Sequence, residues 1–118
     1  MTNAFIRKTK SITGVTLTAI DTPTTGVVPS GHTWTAVGLT IANTYSTAIQ
    51  VNVVLNDNAT NTYLVKSADI PVGGTLVVIG GDQKVVMINN GVQTDSIKVS
   101  TNNAAHTCDC ILSILDSY

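Results

Sequence analysis

At 118 residues, with a formal charge of −1, 43% apolar residues and only 11% charged ones, the chain is one domain with a modest core, neither disordered nor an electrostatic nucleic-acid binder. No run of about 18 apolar residues occurs, which excludes a membrane-spanning helix. All seven acidic residues are Asp, a residue of turns and caps, where a helical protein would use Glu.

The first ten residues hold Arg7, Lys8 and Lys10, half of the six basic residues. Basic residues following a short apolar stretch reverse the order of a secretory signal, so the chain is expected to be made and folded in a cytoplasm. Residues 1–11 are expected to be an extended arm or an edge strand, with the basic cluster as its solvated rim. Val15, Leu17 and Ala19 mark the first clear strand, and Asp21 to Gly26, around Pro23, a loop. After Thr33-Trp34-Thr35, the residues Val37, Leu39 and Ile41 are expected on one face of the next strand, and Asn43 to Thr47 in a turn. Ile49, Val51, Val53 and Leu55 then alternate with polar neighbours, as a strand with one wet face and one dry face requires.

Asn56-Asp57-Asn58-Ala59 is read as the hairpin onto Thr62 to Lys66. The sequon Asn58-Ala59-Thr60 has no signal segment to give it meaning. Thr75 to Ile79 and Lys84 to Ile88 are expected to pair through Gly80-Gly81-Asp82-Gln83, and Asp95 to Ser100 and Thr107 to Leu115 complete the set. Ile111, Leu112, Ile114 and Leu115 also fit one helical face. The alternating Cys108 and Cys110 after the Asn102-Asn103 turn favour a strand. The pattern predicts an all-β, antiparallel sandwich, jelly-roll-like or Ig-like, of eight strands, or nine if Phe5 to Ile12 pairs independently. Val28-Pro29-Ser30-Gly31 and Ile70-Pro71-Val72-Gly73 each place Pro two residues before Gly, and a tight turn is expected at both.

No pattern for chemistry emerges. Cys108-Asp109-Cys110 is too closely spaced for a zinc site without a second pair, and is read as two small buried residues. His32 and His106 are lone turn histidines. They could form a metal set with the cysteines only if distant turns met. The Asx residues around Asp57 and Asp82 suit turns better than calcium. No phosphate loop, nucleophile elbow or carboxylate pair is present, so no enzymatic activity, cofactor or metal is expected. Trp34 and Tyr63 read as core or interface anchors, and Tyr45, in a turn, as a ring open to a partner.

Leu76 to Ile79, Val85 to Ile88 and Cys110 to Leu115 are apolar on both faces, and a two-layer sandwich buries only one. Candidate interface residues are therefore Phe5, Arg7, Lys8, Lys10, Tyr45, Val78, Val86, Ile111 and Leu115. The expected partner is another copy in a trimer or ring, together with other assembly proteins, and neither nucleic acid nor membrane.

Val28-Pro29-Ser30-Gly31, Gly38-Leu39-Thr40-Ile41-Ala42-Asn43, Tyr63-Leu64-Val65-Lys66, Ile70-Pro71-Val72-Gly73, Gly80-Gly81-Asp82-Gln83-Lys84 and Asp95-Ser96-Ile97-Lys98-Val99 occur in this order. Over residues 12 to 116 this order resembles small virion structural proteins of tailed phages, notably those of cyanobacteria and marine bacteria. The resemblance implies a non-enzymatic β-sandwich subunit that joins the capsid, neck or tail as an oligomer and resides in the virion. The chain departs from it at Val92-Gln93-Thr94, which separates Gly91 from Asp95 and suggests a longer exposed loop, and at Cys108 and Cys110, which stand in place of valines. The alternative is a receptor- or glycan-binding module of a fibre or baseplate, for which Tyr45 and His32 are the candidates.

Overall fold

The computed structural model describes residues 2–20, 27–57 and 60–118. The expected loop over Asp21 to Gly26 and the tip of the Asn56–Ala59 hairpin, with its sequon, lie outside the described residues. Nine strands and no helix are found among the described residues: β1 (Asn3–Thr13), β2 (Thr18–Ala19), β3 (Thr33–Asn43), β4 (Ile49–Asn56), β5 (Asn61–Ile70), β6 (Thr75–Ile79), β7 (Val85–Ile88), β8 (Ser96–Thr101) and β9 (Thr107–Ser117). They form one domain of two antiparallel sheets. One runs β1-β9-β3-β6, with β7 also on β3, and the other β2-β8-β4-β5.

Both β6 and β7 run antiparallel to β3, β6 along Leu39 to Ala42 and β7 along Thr33 to Ala36. The two therefore form one interrupted strand on one edge of β3 and do not pair with each other, which corrects the hairpin expected from the sequence. The physical reason is local. Gln83 N–H bonds the Gly80 carbonyl at 3.2 Å, and Gly81 takes φ +60°, so the chain jogs outward and returns in its original direction. With β6 and β7 counted together, the hydrogen-bonded pairs are first with last, second with second-last, third with third-last, and the two central strands. That nesting is the winding of a jelly roll, and differs from the ABED/CFG order of an Ig sandwich.

Between the sheets lies a core of Ile12, Ile20, Trp34, Leu39, Ile41, Ile49, Val51, Val53, Ile70, Ile97, Leu112 and Ile114, with Ile79, Met87 and smaller apolar residues. Each large side chain enclosed there contributes about 1.5–3 kcal/mol. β9 shows why the strand reading prevails over the helical one: Cys108, Cys110, Leu112, Ile114 and Asp116 are buried at strict period two.

Two further expectations are corrected. Val37 does not share a face with Leu39 and Ile41. It is the extra residue of a bulge opposite β9, between Ala36↔Ile114 and Gly38↔Ser113. The bulge lets Trp34 and Ala36 face the core before it and Leu39 and Ile41 after it. The strand expected over Val15 to Ala19 shrinks to Thr18–Ala19, because Gly14 at φ +89° turns the chain and leaves Val15 exposed. Both Pro-x-Gly corners form as expected. His32 N–H bonds the Pro29 carbonyl and Gly74 N–H that of Pro71, with Gly31 and Gly73 at φ +79° and +72°.

Candidate interaction surface

The outer face of the five-stranded sheet follows from strand parity and register. β1 turns Ile12 and Lys8 inward and Phe5, Arg7 and Ser11 outward. On β9, Ile111 and Leu115 point away from the core, between the buried Cys110, Leu112, Ile114 and Asp116. Register aligns Phe5 with Leu115, Leu115 with Thr35 and Thr35 with Val86, giving one transverse row. Four residues along, Thr9, Ile111, Thr40 and Val77 form a second row. Between them lies a low row of Arg7, Ser113 and Gly38, ending beside the Gly80–Lys84 jog.

Phe5 is 80% exposed, Val77 62%, Val86 59% and Ile111 46%. Large apolar side chains scattered singly on a surface need no explanation, but several aligned on one sheet face do.

Four of the expected interface residues, Phe5, Val86, Ile111 and Leu115, are thus brought together, with Arg7 between the rows. The others lie elsewhere. Lys8 is buried, and its ammonium sits 5.5 Å from the centre of the Trp34 ring, so it is a core-facing residue with a cation–π contact. Lys10 is half-buried on the same side of β1. Val78 is buried in the core and its neighbour Val77 takes the outward position. The signal for Val77 was the pairing of β6 with β3, which strand periodicity alone cannot supply. Tyr45 is half-buried against the core and its ring meets that of His106 at 4.7 Å, so it is not free in a turn. Of the two rings read as anchors, Trp34 is enclosed in the core, whereas Tyr63 is half exposed on β5 beneath the Lys66 ammonium.

The outer face of the other sheet is of opposite character. Gln50 Nε2 donates to Asp69 Oδ1 at 2.9 Å, Asn102 Nδ2 to Gln50 Oε1 at 2.9 Å, and Asn52 Nδ2 to Asn102 Oδ1 at 2.6 Å. Asn52 Oδ1 also accepts the Ser67 N–H. This amide ladder leads into an open hollow of about 370 Å³ lined by Ala48, Ile49, Gln50, Asp69, Asn102, Asn103 and His106.

The histidines lie at opposite ends of the sandwich. His32 Nδ1 donates to Asp116 Oδ1 at 2.8 Å and its ring stacks on Tyr118 at 4.3 Å. Thr33, beside His32, pairs with Ser117, nine residues and about 30 Å along β9 from Cys108. No group of three or more metal-ligating side chains occurs among the described residues. Cys108 and Cys110 are both free and buried. The hydrogen bond between the thiols, reinforced by burial, pushes Cys110 well above its ordinary value, so it is a protonated core residue.

No protein-family model matches the chain, and no curated protein matches it.

Proposed function

We propose that the chain is a non-enzymatic structural protein of a tailed-phage virion, an oligomeric accessory subunit that decorates the capsid or forms part of the neck or tail apparatus. The observation that carries this reading is the outer face of the five-stranded sheet, where exposed Phe5, Val77, Val86 and Ile111 stand in two rows among threonines. Water-exposed rows of this kind are costly unless covered, and another virion subunit is the cover proposed. The opposite face, dressed in amides, would remain in solvent. The jelly-roll winding supports the same reading, since viral capsid domains use it, as do lectins. The order of turn and strand motifs that resembles small virion proteins adds to it.

The test is incorporation. Particles assembled with a Val86→Asp/Ile111→Asp variant should lack the protein, while the purified variant keeps its native thermal transition, because both positions face outward. Normal incorporation of that variant would count against the proposal.

One observation favours a second reading, a glycan-binding module of a fibre or baseplate. The hollow lined by Gln50, Asp69, Asn102, Asn103 and His106 holds amides and a carboxylate suited to sugar hydroxyls, with the Tyr45–His106 ring pair beside it. A glycan array would support this reading if binding were lost on Asp69→Ala, and would remove it if no glycan bound.

A further inference from the structure

The proposed structural role leaves open what covers the apolar face. Resting on that reading, we infer that the first cover is a second copy of this chain, packed face to face about a two-fold axis parallel to the strands between β9 and β3.

The apolar rows alone allow two isologous arrangements. In one, the axis crosses the strands along the Arg7–Ser113–Gly38 row, and the Phe5 row of one copy meets the Ile111 row of the other. That arrangement stacks Arg7 on the partner's Arg7, a like-charge contact on a face being desolvated. In the other, the axis runs along the strands, so each row meets itself reversed. Phe5 then faces the partner's Val86, Ile111 faces the partner's Thr40, and the Ser113 side of the low row faces the partner's Gly38.

Charge selects the second. The row that begins at Arg7 on one edge of the sheet ends on the other at the jog carrying Asp82, because Ile79 opposes Leu39 and Val85 opposes Ala36. Reversal of that row brings Arg7 of each copy to Asp82 of the other. Both residues are exposed, and neither has a hydrogen-bond or ion-pair partner among the described residues. Lys84 of the same jog is tied within its own loop, its ammonium donating to the Gly81 carbonyl at 2.6 Å. The small residues of the low row let the two sheets approach to the roughly 10 Å at which stacked sheets pack.

The area is sufficient. Four strands at about 4.8 Å and eleven residues at about 3.3 Å give a face of roughly 700 Å² per copy, close to the ~800 Å² per partner of a stable complex.

Sedimentation equilibrium of the full chain over the micromolar range tests this. A concentration-dependent dimer is expected, weakened about tenfold by Arg7→Asp or Asp82→Arg alone and restored to within a few-fold by the two together. A chain carrying both Phe5→Cys and Val86→Cys should form disulfide-linked dimers on a non-reducing gel, since the native thiols are buried. A monomer at all concentrations, a trimer, or a dimer indifferent to both charge reversals would overturn the inference. A monomer that is still found in particles would sink the two-fold pair and leave the structural role standing. A dimer absent from particles would do the reverse.

Discussion

The carboxamide nitrogen of Asn43 lies 2.8 Å from the Thr47 carbonyl oxygen, so the last residue of β3 closes the turn that leads into β4. The same nitrogen reaches the Ile70 and Pro71 carbonyls at 3.1 and 3.2 Å, and Asn43 Oδ1 accepts the Tyr45 N–H at 2.8 Å. One buried side chain thus ties two corners of the sandwich. Asn43→Ala should lower unfolding free energy by about 2–3 kcal/mol, because it strands buried carbonyls. Asn43→Asp should rescue little, as a carboxylate has no hydrogen to donate. Urea denaturation of both variants checks this.

Asp116 should hold the other end closed. Its carboxylate takes the His32 Nδ1–H, and just beyond it Tyr118 and Thr2 exchange backbone bonds, with Tyr118 N–H donating to the Thr2 carbonyl at 2.8 Å. Asp116→Ala should cost about 1–2 kcal/mol. Amide exchange should accelerate at Tyr118 and Thr2 well before it does in the strands of the opposite sheet.

Cys110 makes stability fall in alkali. Its hydrogen bond with Cys108 and its burial raise it above the ordinary thiol value of 9.0, so above that pH the unfolded thiol loses its proton while the folded one keeps it. Its contribution is complete below pH 9.0 and declines above it by about 1.4 kcal/mol per pH unit. Cys110→Val should flatten the alkaline limb of the stability curve relative to the native chain. A thiol reagent should label neither cysteine of the native protein at neutral pH.

Ser67 is the one non-glycine residue with positive φ, at 53°, among those described. It lies in the bulge of β5, where Val51↔Ala68 and Val53↔Val65 leave β5 one residue longer than β4. Ser67→Gly should raise stability by about 1 kcal/mol by removing the left-handed penalty, seen as a higher thermal midpoint. The exposed bond from Asn102 to its hydroxyl is a small loss against this.

Period-two alternation was enough to read β4 and β9 as strands, since β9 buries one face and wets the other throughout and β4 does so as far as Val53, after which Val54 is buried too. The Pro-x-Gly corners were legible because φ is fixed chemically at proline and freed at glycine. Val37 and the β6–β7 relationship were not legible. A bulge changes parity without changing composition, and whether two neighbouring strands pair or share an edge depends on β3, which lies more than thirty residues earlier in the chain. For the same reason Phe5, Ile111, Leu115 and Val86 could be suspected individually, but only register places them on one face and exchanges Val78 for Val77. Lys8 misleads because an edge-strand lysine is usually solvated, whereas here its ammonium sits over the Trp34 ring.

Membership of a virion is measured most directly by the copy number of this chain in purified phage particles, by quantitative mass spectrometry against the major capsid protein. A fixed stoichiometry is expected, with hundreds of copies for a capsid-decorating subunit and a few to some tens for a neck or tail component. Absence from the particles would contradict the structural role and leave the hollow lined by Gln50, Asp69 and His106 as the better guide to function.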